Sequence, residues 1–377
     1  MTPATATPAR PAPVPATRAP ASPRSGVRVA GCGTALPSRT VTNHDLVRHL
    51  DTSDEWIVER SGIRERRWVG PGESTRPLST AAARAAIADA GMPATAVDVV
   101  LVATATPDTP MPSTAAQVAT DLGITAGAVD LNAACAGFVY ALTTAAGLLA
   151  AGAARTVLLI GADTMTSVVD PADRATAVLF GDGAGALVLT ADADAGSAGA
   201  PAASDGSVPA DRPGLVASDL VNDPAGVDLL VVPAGGSRRP ASAETLAAGE
   251  HHLRMDGREV FRRAVRAVTA SVERTLERAG LGPGDVDLFV PHQANARIVD
   301  AVLSRTGLDP ARTSSTIDRY GNTSAASIPL ALADAVATGT VAPGDLVLLC
   351  GFGAGLTVGT ALWRWDTPIT TAEDTRT

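Results

Sequence analysis

Two stretches of this chain repeat each other at a nearly constant spacing, and that repeat narrows the available folds more than any single motif. IADAGMPATAVDVVLVA from Ile87 aligns without gaps with LERAGLGPGDVDLFVPH from Leu276, so Gly91 meets Gly280 and Asp98 meets Asp287 at an offset of 189. Further on, TVLLIGA and LVLLCGF pair Gly161 with Gly351 at an offset of 190. Around these segments, short aliphatic strands such as VRVAGCG and VDVVLVATATP alternate with Ala-rich helical stretches such as LSTAAARAAIADAG. Near-continuous apolar strands between helices predict a sheet covered on both faces. A strand and helix order that returns in the second half predicts an α/β protein of two pseudo-symmetric βαβα halves packed as one unit.

The expected boundaries follow composition. Residues 1–25, rich in Pro, Ala, Thr and Arg, lack the apolar stretch of a secretory signal and read as a disordered tail. The first half spans 26–190 and the second 215–366. Between them, 191–214 is small, polar and turn-forming, as expected of a surface excursion, and 367–377 is a C-terminal tail.

With 377 residues, 46% of them hydrophobic, the chain can bury one large core or two medium ones. Its net charge of −9 argues against a generic grip on nucleic acid or an anionic membrane surface. No uninterrupted apolar run of about 18 residues suggests a membrane span. Cys32, Cys135 and Cys350 are odd in number and far apart, without metal-ligand spacing, so neither a disulfide framework nor a metal site is expected and a reducing cytoplasm fits.

Chemistry concentrates in a few places. Cys135, in DLNAACAGFVYAL, opens an apolar stretch predicted to be a buried helix. A cysteine there is either core filler or a nucleophile: the helix N-terminus favours thiolate, whereas burial opposes it. His292 in DLFVPHQANARI follows an apolar strand directly, where ligand crevices form in α/β folds, or else it is a hydrogen-bonded structural residue. Asn322, in RYGNTSAAS, stands near the place in the second half that Cys135 occupies in the first, and is either an N-cap or a site residue. In CGFGAGLTVG, glycines around Phe352 and Ala354 allow close backbone approach, while FGDGAGALVL from Phe180 reads as a turn entering a core strand. His251 and His252 are expected on a solvated loop.

Together the blocks DTSDEWIVERSGIRER, NAACAGF, FGDGAGA, GREVF, VPHQAN and GNTSAAS, in this order, resemble the β-ketoacyl-[acyl-carrier-protein] synthase III family from about Val27 to Trp365. The resemblance implies a thiolase-like fold layered α-β-α-β-α. It implies that Cys135 takes an acyl group from acyl-CoA as a thioester. His292 and Asn322 then hold the thioester carbonyl of malonyl-acyl carrier protein while decarboxylation leaves an enolate, which attacks the acyl-Cys. The backbone amides of Cys135 and Ala354 form the oxyanion hole, Trp56, Arg60 and Arg174 hold CoA, and Arg297 helps dock the acidic carrier protein. The implied protein is a cytoplasmic homodimer that needs no metal or redox cofactor, CoA thioester being a substrate. Met111 stands where many members carry Phe, at a position that reaches the partner's acyl pocket, so a starter other than acetyl is expected. Ala354 replaces a frequent Gly, and Val358 a frequent aromatic. A relative that moves the acyl group to a hydroxyl or amine without decarboxylation is the alternative, and a non-catalytic carrier-protein binder a third reading.

Overall fold

The protein was described from a computed structural model covering residues 26–191 and 212–366. Both expected tails, and the expected surface excursion apart from its ends, lie outside these residues. The strands in chain order are β1 (Val27–Ala35), β2 (Arg39–Thr42), β3 (Glu65–Trp68), β4 (Val99–Ala103), β5 (Gly127–Leu131), β6 (Thr156–Thr164) and β7 (Asp182–Ala191), followed by β8 (Gly214–Asn222), β9 (Leu230–Val231), β10 (Arg254–Met255), β11 (Leu288–Pro291), β12 (Leu346–Gly353) and β13 (Thr357–Arg364).

The two halves build two sheets of matching order. The first runs β1-β7-β6-β4-β5 and the second β8-β13-β12-β11. In the first, β6 pairs parallel with β4 and antiparallel with β7; in the second, β12 pairs parallel with β11 and antiparallel with β13. The halves differ at one edge. Where β5 completes the first sheet, the second has a single parallel bridge, Phe289 to Thr313. The repeated aspartates play the same local part in each half. Asp98 accepts the backbone N–H of Thr156, and Asp287 that of Leu346, each joining the start of one strand to its neighbour.

Five layers result. The two apolar helices Gly137–Ala150 and Ser327–Ala337 lie between the sheets, in one core with residues of both, including Phe138, Leu159, Ile328 and Leu349. Helices Thr75–Asp89 and Thr114–Leu122 cover the outer face of the first sheet, and helices Gly257–Ala279 and Ala296–Thr306 that of the second. The central helices need apolar residues all round because both sides are buried, whereas the outer helices are amphipathic. A fourth cluster, with Ile57, Ile63, Val178 and Phe180, packs β2, β3 and helix Asp54–Ser61 against the first half. Arg66 is fully buried there, donating to Asn43 Oδ1 and to the carbonyls of Val41 and Val178, and burial pulls its guanidinium down to about 10.

Candidate active site

Each central helix is entered through a tight elbow, and the two elbows superpose in sequence at an offset of 190. Asn132 Oδ1 accepts the N–H of Ala134 at 3.0 Å, and Asn322 Oδ1 accepts that of Ser324 at 2.9 Å. Ala134 and Ser324 both adopt positive φ, 48° and 51°. Cys135 therefore corresponds to Ala325, and the counterpart of Asn322 is Asn132. The expectation that Asn322 stands near the place matching Cys135 is sharpened to this register: the two residues sit on opposite elbows, three positions out of step. Asn322 is not an ordinary helix N-cap; its side chain closes the elbow through the amide two residues on.

Cys135, His292 and Asn322 line one cavity of about 160 Å³, together with Phe352, Met255 and Phe261. All three polar residues are buried, whereas Met255 and Phe261 are half-buried. Burial pushes the Cys135 thiol up to about 12, and the Asp163 carboxylate acts in the same direction; hydrogen bonds from Ser324 and from the cysteine's own amide act against both. Burial is thus the largest influence on the thiol in the free enzyme.

His292 is fixed by its neighbours. Its backbone N–H donates to Cys350 O at 2.7 Å, and Phe352 meets the ring edge-on at 5.3 Å. Nδ1 lies 2.6 Å from Ser327 Oγ, which also receives the N–H of Gln293 at 3.4 Å. Among the described residues the serine hydroxyl has no other acceptor, so it donates to Nδ1 and leaves the ring proton on Nε2. Burial lowers His292 to about 3, keeping the imidazole neutral. Asn322 Oδ1 is occupied by the Ser324 amide, which leaves its Nδ2 hydrogens to donate. The cavity therefore carries a thiol and two neutral donor groups.

The glycine loop acts on the elbow. A Cβ on Gly353 would lie 2.6 Å from the backbone nitrogen of Cys135, and one on Gly351 2.9 Å from Ala136 Cα. The close backbone approach that these glycines allow packs β12 against the cysteine elbow. Ala354 follows directly, half-buried and outside the left-handed region, so its side chain is accepted without strain. Val358 is buried opposite Phe352 in the β12–β13 register.

Trp56, Arg60 and Arg174 gather away from the cavity lining. Arg174 Cζ sits 4.9 Å from the Trp56 ring centroid and Arg60 Cζ 5.8 Å. Arg174 also donates to Asp51 O at 2.7 Å. The indole and guanidinium contact each other, so a base stacked between them must first part them. Asn295 Nδ2 donates to Arg60 O at 2.9 Å, tying this cluster to the segment that carries His292. Arg297 is exposed, its guanidinium 5.9 Å from the ring centroid of Phe261, which lines the cavity. Met111 is 83% exposed and does not line the cavity of its own chain. His251 and His252 are half-buried on a loop with their rings tilted at 45° to each other, and His252 Nδ1 lies 3.8 Å from Asp170 Oδ2. Ser324, Ser327 and Asp163 are contributors that sequence reasoning missed; the only signal for the two serines was their place inside GNTSAAS. Among the described residues no group of three or more His, Cys, Asp or Glu is arranged to hold a metal, and no helix is long and apolar enough to cross a membrane.

The chain is similar to known proteins over most of its length. The profile for 3-oxoacyl-[acyl-carrier-protein (ACP)] synthase III matches residues 129–206, and that for the C-terminal part of the same enzymes matches residues 276–365. A β-ketoacyl-[acyl-carrier-protein] synthase III from Rhodospirillum centenum is 48% identical over 89% of this chain and 98% of its own length. The crystal structure of 3-oxoacyl-(acyl carrier protein) synthase III from Pseudomonas aeruginosa superposes with a TM-score of 0.79 at 41% identity, covering 91% of this chain and 99% of that one. A priming β-ketosynthase of a polyketide biosynthetic pathway gives 0.80 at 37% identity, covering 94% of this chain and 100% of that one.

Proposed function

Because the chain belongs to the β-ketoacyl-[acyl-carrier-protein] synthase III family, its chemistry is the joining of an acyl-CoA starter to malonyl-acyl carrier protein, and we propose that Cys135, His292 and Asn322 carry it out in a ping-pong sequence. The observation that supports this assignment is the shared cavity, which sets one thiol beside two oriented neutral donors.

In the first half-reaction the sulfur of Cys135 attacks the acyl-CoA carbonyl. The carbon–sulfur bond to CoA breaks, and the cysteine proton ends on the departing CoA sulfur. In the second, the bond from the malonyl α-carbon to its carboxylate breaks and carbon dioxide leaves. The electron pair spreads onto the thioester oxygen, where His292 Nε2–H and Asn322 Nδ2–H stabilise it. The α-carbon then attacks the acyl-Cys carbonyl, the new carbon–carbon bond forms, and the Cys135 thiolate departs and takes up a proton from water, restoring the thiol. The amides of Cys135 and Ala354 would stabilise the tetrahedral oxyanion in both steps. This scheme uses no resident metal or redox group. A thiol nucleophile and a CoA substrate fit a reducing cytoplasm.

Trp56, Arg60 and Arg174 are the CoA contacts in this reading, with the guanidinium swinging from the indole to admit the base. An exposed guanidinium–indole contact is worth only about 0.5–1 kcal/mol, so opening it is cheap. Arg297, exposed at a ring of the cavity wall, is positioned to meet an acidic carrier protein; the attraction acts within about 8 Å at physiological salt, so the chain's net charge does not prevent it. Met111 is assigned to a partner subunit's acyl pocket, with the enzyme a homodimer.

The test is intact-mass analysis of malonyl-loaded carrier protein and enzyme mixed with a panel of acyl-CoAs. The carrier should gain the acyl mass and lose carbon dioxide, and Cys135→Ala should abolish this. An acylated Cys135 beside an intact malonyl carrier, across the whole panel and with alternative carriers, would overturn the decarboxylative reading and turn the search to a hydroxyl or amine acceptor.

A further inference from the structure

The condensation scheme leaves unexplained how a thiol in so dry a site becomes an effective attacker and leaving group. Ser324 Oγ lies 3.2 Å from Cys135 Sγ, and both residues are buried. Among the described residues the sulfur is the only partner of that hydroxyl. The two groups come from opposite halves of the protein, 189 residues apart, each at the elbow before a central helix.

The first elbow shows that the backbone does not call for a hydroxyl here. Ala134 holds the equivalent position at φ 48° with the same asparagine contact, so alanine is sufficient for the turn. Only the second elbow carries an oxygen, and it points at the nucleophile. Its placement is fixed on both sides: Asn322 Oδ1 takes the Ser324 N–H at 2.9 Å, and Asp163 Oδ2 takes the Ala325 N–H at 3.0 Å. A non-glycine residue at positive φ is unfavourable by about 1 kcal/mol or more, and the hydroxyl's direction depends on that backbone being held. Among the described residues no hydrogen bond joins His292 to Cys135, and the imidazole Nδ1 is committed to Ser327.

We propose that Ser324 is a positioning residue for the condensation, its hydroxyl donating to the Cys135 thiolate in acylation and again when that thiolate leaves after carbon–carbon bond formation. The proposal rests on Cys135 being the nucleophile. A hydrogen bond to an anion stabilises it more than one to a neutral group, so the thiolate fraction rises. Lower basicity also weakens the attacker, by about threefold for each tenfold gain in thiolate, so a net gain of about threefold remains wherever thiolate is scarce.

The test follows alkylation of Cys135 by iodoacetamide as a function of pH, localised by peptide mass so that Cys32 and Cys350 do not contribute, in the wild-type chain, Ser324→Ala and Ser324→Gly. Alanine copies the first elbow, and glycine relieves the backbone at φ 51°, so one of the two retains the fold if the other does not. Losing one hydrogen bond to an ionised group should lower the alkylation rate of both variants about threefold at each pH below the thiol's midpoint, displacing the rate curve upward by about half a pH unit, and slow acylation by acyl-CoA by about the same factor at neutral pH. A merely structural loosening would admit the reagent faster at every pH, the opposite sign. Curves that stay in place, or that move in Ser324→Ala and not in Ser324→Gly, overturn the role of the hydroxyl. Condensation persisting in Cys135→Ala would instead defeat the nucleophile assignment on which the proposal rests.

Discussion

The acceptor sides of His292 and Asn322 are already occupied, by Ser327 and by the Ser324 amide, which leaves each a donor for the reaction proposed above. In the proposed scheme, removing His292 should spare acylation and damage condensation, and removing Asn322 should do the same apart from slowing acylation up to about threefold, because Asn322 Oδ1 also holds the Ser324 elbow. We expect His292→Ala and Asn322→Ala each to accumulate acyl-Cys135 in intact-mass spectra while product formation falls about 10²–10³-fold, the usual loss for one oxyanion donor. Loss of acylation in step with condensation would show that these residues serve the first half-reaction instead. The pH dependence follows from burial, which holds His292 neutral down to about 3. Condensation by pre-acylated enzyme should show no step near 6.5, the ordinary histidine value; a step there would mean that the imidazole titrates during turnover. The same shift has a stability sign. The unfolded chain takes up a proton near 6.5 that folded His292 refuses until about 3, so the stability this residue contributes is complete above 6.5 and lost as pH falls toward 3.

The elbow before each central helix carries the residues of the proposed chemistry, and β12 packs closely against the first of them. A methyl group on Gly353 would strike the Cys135 backbone nitrogen, which cannot swing aside as a side chain can. Gly353→Ala should consequently slow Cys135 acylation at least tenfold, by about the factor that small displacements of a reacting group cost. Gly284→Ala, where nothing lies within 4 Å of the added carbon, is the control and should leave the rate unchanged. Equal acylation rates in both variants would show that the elbow tolerates displacement. The elements themselves were legible in the sequence, because apolar strands, Ala-rich helices and paired glycines and aspartates are local patterns. The elbow register was less so. Between NAACAG and NTSAAS at the matching offset, only Asn132 with Asn322 and Ala136 with Ala326 are identical, and a cysteine invites comparison with another reactive residue rather than with Ala325. The Ser324 to Cys135 contact carries no periodic signal, since it joins positions brought together only by packing of the halves. Likewise, the family resemblance implied that Trp56, Arg60 and Arg174 share a CoA site, and it carried no sign that indole and guanidinium close on each other in the free enzyme.

The same two-sheet plan leaves one sheet edge open. The second sheet ends in one bridge at Thr313, whereas the first ends in β5, a full strand paired only with β4 among the described residues. Its outer edge presents unpaired backbone groups, with Val129 52% exposed, and an open edge strand is a ready template for another chain. Met111 lies in the loop between β4 and helix Thr114–Leu122, exposed and remote from its own cavity, while Asp130 of β5 accepts the amides of Thr114 and Ala115 at that helix start. The exposed loop and the open edge are thus braced together, and a second copy seated on β5 would receive both. We expect light scattering to give a particle of twice the 37.8 kDa chain mass, and Val129→Arg to shift it toward monomer by placing a charge in the contact. If Met111 completes the partner's acyl pocket, Val129→Arg should also lower condensation, and Met111→Phe in the intact dimer should change the ranking of acyl-CoA starters. A monomeric wild-type chain with full activity would remove the partner from the site, and an unchanged ranking in Met111→Phe would leave starter choice to residues of the cavity in the same chain.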